Sequence, residues 1–198
     1  MNVLLPGSIA MAAIIVASNI LVQYPMGGYL TWGALTYPLA FLVGDLTNRV
    51  QGAAAARVVV GAGFVVGIFC SLLTPLVTLR VAIASGAAFL VAQLLDIAVF
   101  DSLRRRKWWV APLVSSVAGS TLDTAIFFTT AFSAALIWLE PGNDVSWATT
   151  ATPLLGLGPD APFWVSLAIA DWAVKLVLAL LTLLPFKLFV AKLIAPIA

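Results

Sequence analysis

Three aspartates lie inside long apolar stretches of the sequence: Asp96, Asp123 and Asp171. A carboxylate at bilayer depth is costly, so a buried acid of this kind usually pairs with another group or binds a ligand. Lys175 follows Asp171 by four residues, a spacing that brings an acid and a base together on one face of a helix. Such groups could bind a polar solute, a proton or a sodium ion.

Other polar residues recur on the two predicted helices that carry Asp96 and Asp123. At about 100° per residue, Ser85 and Gln93 lie on the same side of their helix as Asp96. One side of the following helix carries Ser116, Ser120, Asp123 and Thr130. Because lipid cannot satisfy a polar face, we expect both faces to pack against protein or to line a cavity.

Two further polar pairs lie near the predicted ends of helices. Asn19 and Gln23 share a face near the end of the first helix, where a buried amide either bridges two helices or binds a ligand. Asp45 and Arg49 are four residues apart and can form an ion pair. This pair either snorkels at the cytoplasmic membrane surface or belongs to a substrate site.

The elements that must position these residues are hydrophobic helices. The sequence is 63% hydrophobic and only 9% charged, whereas in soluble domains about a quarter of the residues are charged. The mean hydropathy of +1.11 is that of an integral membrane protein. The apolar runs are long enough for helices, which need about 20 residues each, and they lack the alternation of barrel strands. We therefore predict an all-α, polytopic membrane protein whose single domain spans residues 1–198.

Six transmembrane helices account for nearly all of the chain. Their predicted bounds are about 4–22, 29–48, 58–79, 81–100, 112–139 and 163–184. Pro38 is expected to kink the second helix, because proline removes a backbone hydrogen bond to the preceding turn. A Gly63-x-x-x-Gly67 pattern in the third helix would let another helix approach closely and is compatible with a homodimer.

The distribution of positive charge predicts the orientation of these helices. The run R-R-R-K at 104–107 is followed by two tryptophans, which is typical of a cytoplasmic loop with an interfacial aromatic anchor. If this loop is cytoplasmic, eight of the ten cations lie on that side, together with both termini. Arg80 then lies outside and Lys175 is buried. We therefore predict a multi-pass protein of the cytoplasmic, or cell inner, membrane, surrounded by the lipid bilayer.

In this topology Asp123, Asp171 and Lys175 reach the middle of the bilayer, and Asp96 lies a turn or two nearer the cytoplasm. We expect these groups, with Gln93, to surround one shared cavity near the midplane. Carboxylates accept paired N–H groups, and an amide both donates and accepts. Aromatic residues that could stack on a ring are Phe41, Phe89, Phe127 and Trp172. This chemistry permits a flat, purine-like small molecule as ligand without singling one out.

The composition excludes several classes of function. No histidine is present, which excludes imidazole catalysis, histidine-ligated metals and histidine proton relays. The net charge of +2 is too small to indicate a nucleic-acid-binding surface, and the nucleotide motif G-x-x-x-x-G-K is absent. We predict no metal, no cofactor, no nucleic-acid partner and no enzymatic activity.

Five segments of the sequence carry a resemblance to known proteins. They are T-W-G-A-L-T-Y-P-L-A-F-L-V-G-D-L-T-N-R (31–49), R-V-A-I-A-S-G-A-A-F-L-V-A-Q-L-L-D (80–96), K-W-W-V-A-P (107–112), L-D-T-A-I-F-F (122–128) and D-W-A-V-K (171–175). In their types and order, these segments resemble the bacterial queuosine precursor transporter family, also described as vitamin-uptake-transporter-like. The resemblance covers nearly the whole chain.

The resemblance implies uptake of deazaguanine precursors of queuosine, chiefly 7-cyano-7-deazaguanine, across the cytoplasmic membrane for later insertion into transfer RNA. It also implies a set of substrate-binding residues. These are Asp45 and Arg49 in D-L-T-x-R, Gln93 and Asp96 in Q-L-L-D, Asp123 in D-T, and Asp171 with Lys175 in D-W-x-x-K. Asn19 is a further candidate, which rests on its position in the first helix and not on the resemblance. The family often has asparagine where Ser120 stands here, which bears on the exact substrate.

Three hypotheses about function follow. The first is a secondary transporter in which Asp96, Asp123 and Gln93 bind the polar edge of a deazaguanine, while the Asp171–Lys175 pair closes or couples the site. The second is a substrate-binding membrane subunit of an ATPase-energised vitamin-type importer, because such subunits have a similar size. The third is an intramembrane enzyme that uses paired carboxylates, which would need two acids within reach of one substrate bond.

Overall fold

The structure is a computed structural model that describes residues 4–74 and 77–194. Within these ranges the α-helices are α1 (Leu4–Leu21), α2 (Gly33–Thr36), α3 (Leu39–Gln51), α4 (Ala53–Leu73), α5 (Leu79–Leu103), α6 (Val110–Phe132), α7 (Ser146–Thr149), α8 (Phe163–Leu181) and α9 (Leu183–Ile194). Strand β1 (Pro25–Met26) pairs antiparallel with β2 (Leu30–Thr31), and β3 (Ala151–Pro153) pairs antiparallel with β4 (Asp160–Pro162). Two 3₁₀ helices span Ala134–Leu139 and Leu154–Gly156.

Five helical stretches of the described chain are long and apolar enough to cross a membrane. They are α1, α4, α5, α6 and the stretch Phe163–Lys192, which joins α8 to α9. This confirms the prediction of an all-α, multi-pass membrane protein. The sixth span and the location of both termini in the cytoplasm stay predictions, and the termini themselves lie outside the described residues.

The predicted second helix, residues 29–48, is wrong as a continuous element. This segment forms strand β2, the single turn α2 and then α3. The break falls at Pro38, which has no N–H to donate and cannot continue the ladder of a helix. Ala40 and Phe41 instead donate to the carbonyls three residues back, at 3.0 and 3.2 Å. The side chain of Tyr37 therefore lies directly before the start of α3, at the interruption.

Other predicted bounds shift by a few residues. The loop expected at 49–57 is helical except for Gly52, whose φ of 88° lies in the left-handed region that favours glycine. Helix α5 begins at Leu79, after Thr78 caps it by accepting a hydrogen bond from the Val81 N–H at 3.3 Å. Helix α6 ends at Phe132 and not at 139. Residues 75 and 76, near the predicted end of the third helix, lie outside the described residues.

The bundle has two ends that differ in composition. At the end near 104–107, called here the basic end, the Arg49 Nη1 donates to the Arg104 carbonyl at 2.6 Å and so joins α3 to α5. At the opposite end, called the hairpin end, the Arg80 Nε donates to the Thr130 carbonyl at 2.7 Å. Arg80 is fully buried, and its backbone N–H donates to Glu140 Oε2 at 2.9 Å. Arg80 thus ties α5 to α6 and does not extend into solvent.

The main apolar core lies between α1, α3, α4 and α5. A Cβ at Gly63 would lie 2.5 Å from Met11 Cγ, and one at Gly67 would lie 3.6 Å from Ile15 Cγ2. The Gly63-x-x-x-Gly67 pattern therefore serves close approach of α1 within the chain. A homodimer stays a prediction. Because the Gly63–Gly67 face packs against α1, a dimer would have to use another surface.

We expect Gly63→Leu to destabilise the protein, because the added side chain overlaps Met11 and overpacking of a filled core costs about 1–3 kcal/mol. Gly61→Leu is the matched control in the same helix, since a Cβ there meets no atom within 4 Å. Thermal unfolding of both variants in detergent checks this. Equal midpoints for the two variants would contradict the described contact between α1 and α4.

Candidate functional site

A cavity of about 460 Å³ opens at the hairpin end, within the size range of small-molecule sites, which is about 300–1,000 Å³. Its walls come from α1, α2, α5, α6 and α8, and its rim from the β1–β2 hairpin, as the lining residues between Pro25 and Thr31 indicate. Two acidic residues and one lysine line it together: Asp123, Asp171 and Lys175. Charged residues of α6 and α8 therefore line the same cavity.

The three charged residues of the cavity wall, Asp123, Asp171 and Lys175, form one hydrogen-bonded group with Thr124 behind them, called here the Lys175 cluster. The Lys175 Nζ donates to Asp123 Oδ2 at 2.6 Å and contacts Asp171 Oδ2 at 2.5 Å. It also donates to Thr124 Oγ1 at 3.1 Å, and this hydroxyl donates to Asp171 Oδ2 at 2.8 Å. The predicted i,i+4 pair of Asp171 and Lys175 is confirmed, and Asp123 joins it from α6.

The Lys175 cluster carries one more carboxylate than ammonium groups. Lys175 has three N–H donors, and all three are directed at Asp123, Thr124 and Asp171. Both carboxylates use Oδ2 for these contacts, and within the described residues neither Oδ1 accepts a hydrogen bond. When both carboxylates are ionised, the cluster has a net negative charge and two oxygens with free acceptor capacity. It can therefore accept N–H donors from a ligand.

Aromatic rings surround the rest of the cavity. The Lys175 Nζ lies 5.9 Å from the ring centroid of Tyr37, within the range of a cation–π contact. Further along α6, Phe132 stands edge to face with Trp147 at 5.4 Å between centroids. The aromatic side chains that line the cavity are Tyr29, Tyr37, Phe127, Phe128, Phe132 and Trp147. A planar ligand above the cluster would therefore meet ring faces and edges.

Weaker polar groups complete the wall on the side of α1. Asn19 lines the cavity and donates through Nδ2 to the Ile15 carbonyl at 2.9 Å, which leaves its side-chain oxygen and its second N–H for a ligand. Ser18 Oγ shares a hydrogen bond of 2.9 Å with Thr36 Oγ1 and thereby holds α2 against α1. Ser85 of α5 also lines the cavity.

Comparisons with known proteins place this architecture in a family. The family model described as "Putative vitamin uptake transporter" matches residues 31–79 and 76–190. The chain belongs to this family. The "Queuosine precursor transporter" of Escherichia coli (strain K12) is 31% identical over 194 residues, which cover 87% of this chain and 79% of that protein. The "Probable queuosine precursor transporter" of Haemophilus influenzae is 34% identical over 206 residues, with the same coverage. No solved structure matches the chain.

In this member of the vitamin uptake transporter family, four residues predicted to bind substrate lie away from the cavity: Asp45, Arg49, Gln93 and Asp96. None of the four lines the hairpin-end cavity. Ser85 and Asp96 do share a face of α5, but eleven residues separate them, which is about 16 Å along a helix. A helical wheel shows angle and not depth, so the single shared cavity predicted for all the acids is wrong.

The predicted Asp45–Arg49 ion pair is also wrong within the described residues. Arg49 turns to the Arg104 carbonyl, and its guanidinium carbon lies 5.1 Å from the Phe100 ring centroid and 5.9 Å from that of Phe186. Asp45 instead accepts hydrogen bonds from Ser115 and Ser116 on α6, at 3.2 and 3.5 Å. Among the aromatic residues predicted to stack on a ligand, only Phe127 lines the cavity.

Sequence reasoning missed several residues of the site. Tyr37 carried a usable signal, since it directly precedes the proline that interrupts a helix. Thr124 follows Asp123 in the D-T pair, but its contact with Lys175 depends on how α6 crosses α8. Trp147 comes from the long connection after α6. This connection has no hydrophobic periodicity from which its fold could be predicted.

We expect Lys175→Met to destabilise the protein strongly, because it leaves the buried Asp123 and the half-buried Asp171 without a counter-charge, and breaking a buried ion pair costs about 3–5 kcal/mol. Lys175 is only 4% exposed. The triple variant Lys175→Met, Asp123→Asn and Asp171→Asn removes the whole charged set and should recover most of the loss.

Thermal unfolding in detergent measures both variants, with Lys192→Met on the exposed surface of α9 as the control. A triple variant that is no more stable than Lys175→Met alone would show that Lys175 does not act by neutralising these carboxylates.

Proposed function

We propose that the protein imports a queuosine precursor, a deazaguanine such as 7-cyano-7-deazaguanine, across the cytoplasmic (cell inner) membrane. Two relatives named as queuosine precursor transporters support this, since they align with 87% of the chain. In this proposal α2 and α3 together form the second of six spans, and the basic end faces the cytoplasm. The hairpin-end cavity then opens to the outside, where an importer takes up its ligand.

The observation that carries the proposal is the Lys175 cluster in the wall of an aromatic cavity. A guanine-like ring presents adjacent N–H groups along one edge, and two free carboxylate oxygens can accept them. The free Oδ1 atoms of Asp123 and Asp171 are the proposed acceptors. Lys175 has all three donors engaged, so we assign it to positioning these carboxylates and not to direct contact with the ring.

The aromatic side chains of the cavity would contact the faces of the ligand ring, and Asn19 would contact its opposite edge. Tyr37, Phe127 and Phe132 line the cavity from two sides and suit a flat ring between them. The Asn19 side-chain oxygen offers one further acceptor on the side of α1. The cavity thus combines apolar walls with few polar groups, as small-molecule sites generally do.

We expect Asp123→Asn and Asp171→Asn each to reduce precursor uptake sharply. Loss of a charge-assisted hydrogen bond costs about 1.5–3 kcal/mol, which corresponds to an affinity lowered about 10- to 100-fold. The measurement is queuosine in transfer RNA of a deletion strain that carries each variant and receives precursor at low concentration. Asp101→Asn is the matched control, because that carboxylate is 45% exposed at the basic end.

Western blotting of the membrane fraction must show equal amounts of each variant. Wild-type queuosine levels with both Asp123→Asn and Asp171→Asn at low precursor would contradict the assignment of the site.

Liposomes that contain only the purified protein separate a secondary transporter from a subunit that depends on an ATPase. We expect net precursor uptake into these liposomes without ATP. Precursor binding without any uptake would favour the ATPase-dependent importer.

A further inference from the structure

A second buried polar group lies closer to the basic end than the cavity. Asp45 on α3 and Asp96 on α5, called here the acid pair, are 2% and 0% exposed. Their carboxyl groups are close enough for a side-chain hydrogen bond to join them. The Ser115 Oγ donates to Asp45 Oδ1 at 3.2 Å, and the Ser116 Oγ contacts Asp45 Oδ2 at 3.5 Å. Neither acid lines the hairpin-end cavity.

The acid pair lacks the counter-charge that the Lys175 cluster has. Within the described residues, no lysine or arginine forms a salt bridge with either carboxyl group. The nearest cation along α3 is Arg49, which is turned to the Arg104 carbonyl and lies beside the rings of Phe100 on α5 and Phe186 on α9. Helix α6 contributes only the hydroxyls of its two serines.

Two carboxyl groups in contact at a buried site cannot both be ionised, because like charges at this separation repel strongly. A proton between them removes one charge and supplies the missing donor. It satisfies one of the two Asp96 oxygens, both of which lack a hydrogen-bond partner among the described residues when both acids are taken as ionised. The contact between the carboxyl groups favours a proton over sodium, which would have to separate the oxygens to coordinate them.

Gln93 supplies an independent sign that something binds here. It is fully buried, and both Nε2 and Oε1 lack partners among the described residues. Its Oε1 lies 3.3 Å from the position of a Cβ on Gly44, the residue before Asp45, so the amide is directed at the α3 backbone beside the acid pair. A buried amide with no partner is costly, and it suits a site through which water or a proton passes.

The acid pair and the cavity share the same face of α6. Ser116 contacts Asp45, a Cβ on Gly119 would lie 3.3 Å from Asp96 Cβ, and Asp123 belongs to the Lys175 cluster. Ser116 and Asp123 are seven residues apart, which is about 10 Å along a helix. Helix α3, which carries Asp45, begins at the break beside Tyr37, and Tyr37 lines the cavity.

We propose that Asp45 and Asp96 form a proton-binding site, separate from the substrate cavity, that couples proton entry to transport. A proton leaves water at the hairpin end, binds between the two carboxyl groups and returns to water at the basic end, with no covalent change in the substrate. Loss of the proton leaves two anions in contact, and their repulsion shifts α3 and with it Tyr37 at the cavity wall. The coupling rests on the proposed transport of a queuosine precursor, whereas the proton site itself does not.

The first test uses the wild-type protein in liposomes with labelled 7-cyano-7-deazaguanine and a clamped membrane potential. We expect a gradient of one pH unit to give about tenfold accumulation if one proton moves with each substrate molecule. A sodium gradient without a pH gradient should give none. Accumulation driven by sodium alone would overturn the proposal, and this comparison needs no variant.

The second test uses the variant Asp45→Asn with Asp96→Asn. We expect it to exchange external for internal precursor as the wild type does, because exchange needs no net proton movement, and to lose the tenfold accumulation. Asp101→Asn should keep both activities. Accumulation at the wild-type level in the double variant would overturn the proposal.

The third test needs no substrate. Infrared spectra of the purified protein near neutral pH should show the C=O band of a protonated carboxyl group, and this band should be missing in the double variant. If the wild type fails to exchange precursor, the proposed function is wrong, and the infrared band alone decides the proton site. Absence of the band from the wild type would overturn it.

Discussion

A charge placed within a membrane must find its partner inside the protein, and this constraint organises the structure. Lys175 is the clearest case, because one buried ammonium holds carboxylates from two helices, Asp123 on α6 and Asp171 on α8. The Lys175–Asp123 ion pair joins residues that are 52 positions apart in the sequence. Arg80 obeys the same rule at the hairpin end, where backbone carbonyls take the place of an acid.

The two buried acidic groups differ in their counter-charge, and the roles proposed for them rest on this difference. The Lys175 cluster contains an ammonium that contacts both carboxylates through Oδ2, which leaves their Oδ1 atoms free to accept a ligand. The acid pair contains none within the described residues, so it can hold one proton more readily than two charges. A group with a constant charge, as proposed for the Lys175 cluster, suits recognition of N–H groups on a ligand. A group that gains and loses a proton, as proposed for the acid pair, suits coupling to a proton gradient.

Helix α6 connects these two groups because its polar face contacts a different partner at each turn. Ser116 reaches Asp45, Gly119 lies against Asp96, and Asp123 reaches Lys175. The lack of a side chain at Gly119 lets α5 approach α6 closely at this level. The break at Pro38 adds a second connection, since α3 carries one acid and starts at the edge of the cavity.

The sequence by itself determined the membrane class, the apolar helices and the polar faces of α5 and α6, because composition and helical periodicity are local properties. It also determined the Asp171–Lys175 pair, whose spacing alone brings the two groups together. Only the tertiary structure decided that Asp123 joins this pair while Asp96 turns to Asp45. The position of a residue along its helix and the angle at which two helices cross decide which side chains meet. The hydrophobic period of a single helix encodes neither of them. For the same reason Tyr37 and Trp147 became recognisable as cavity residues only once the helices and hairpins were assembled.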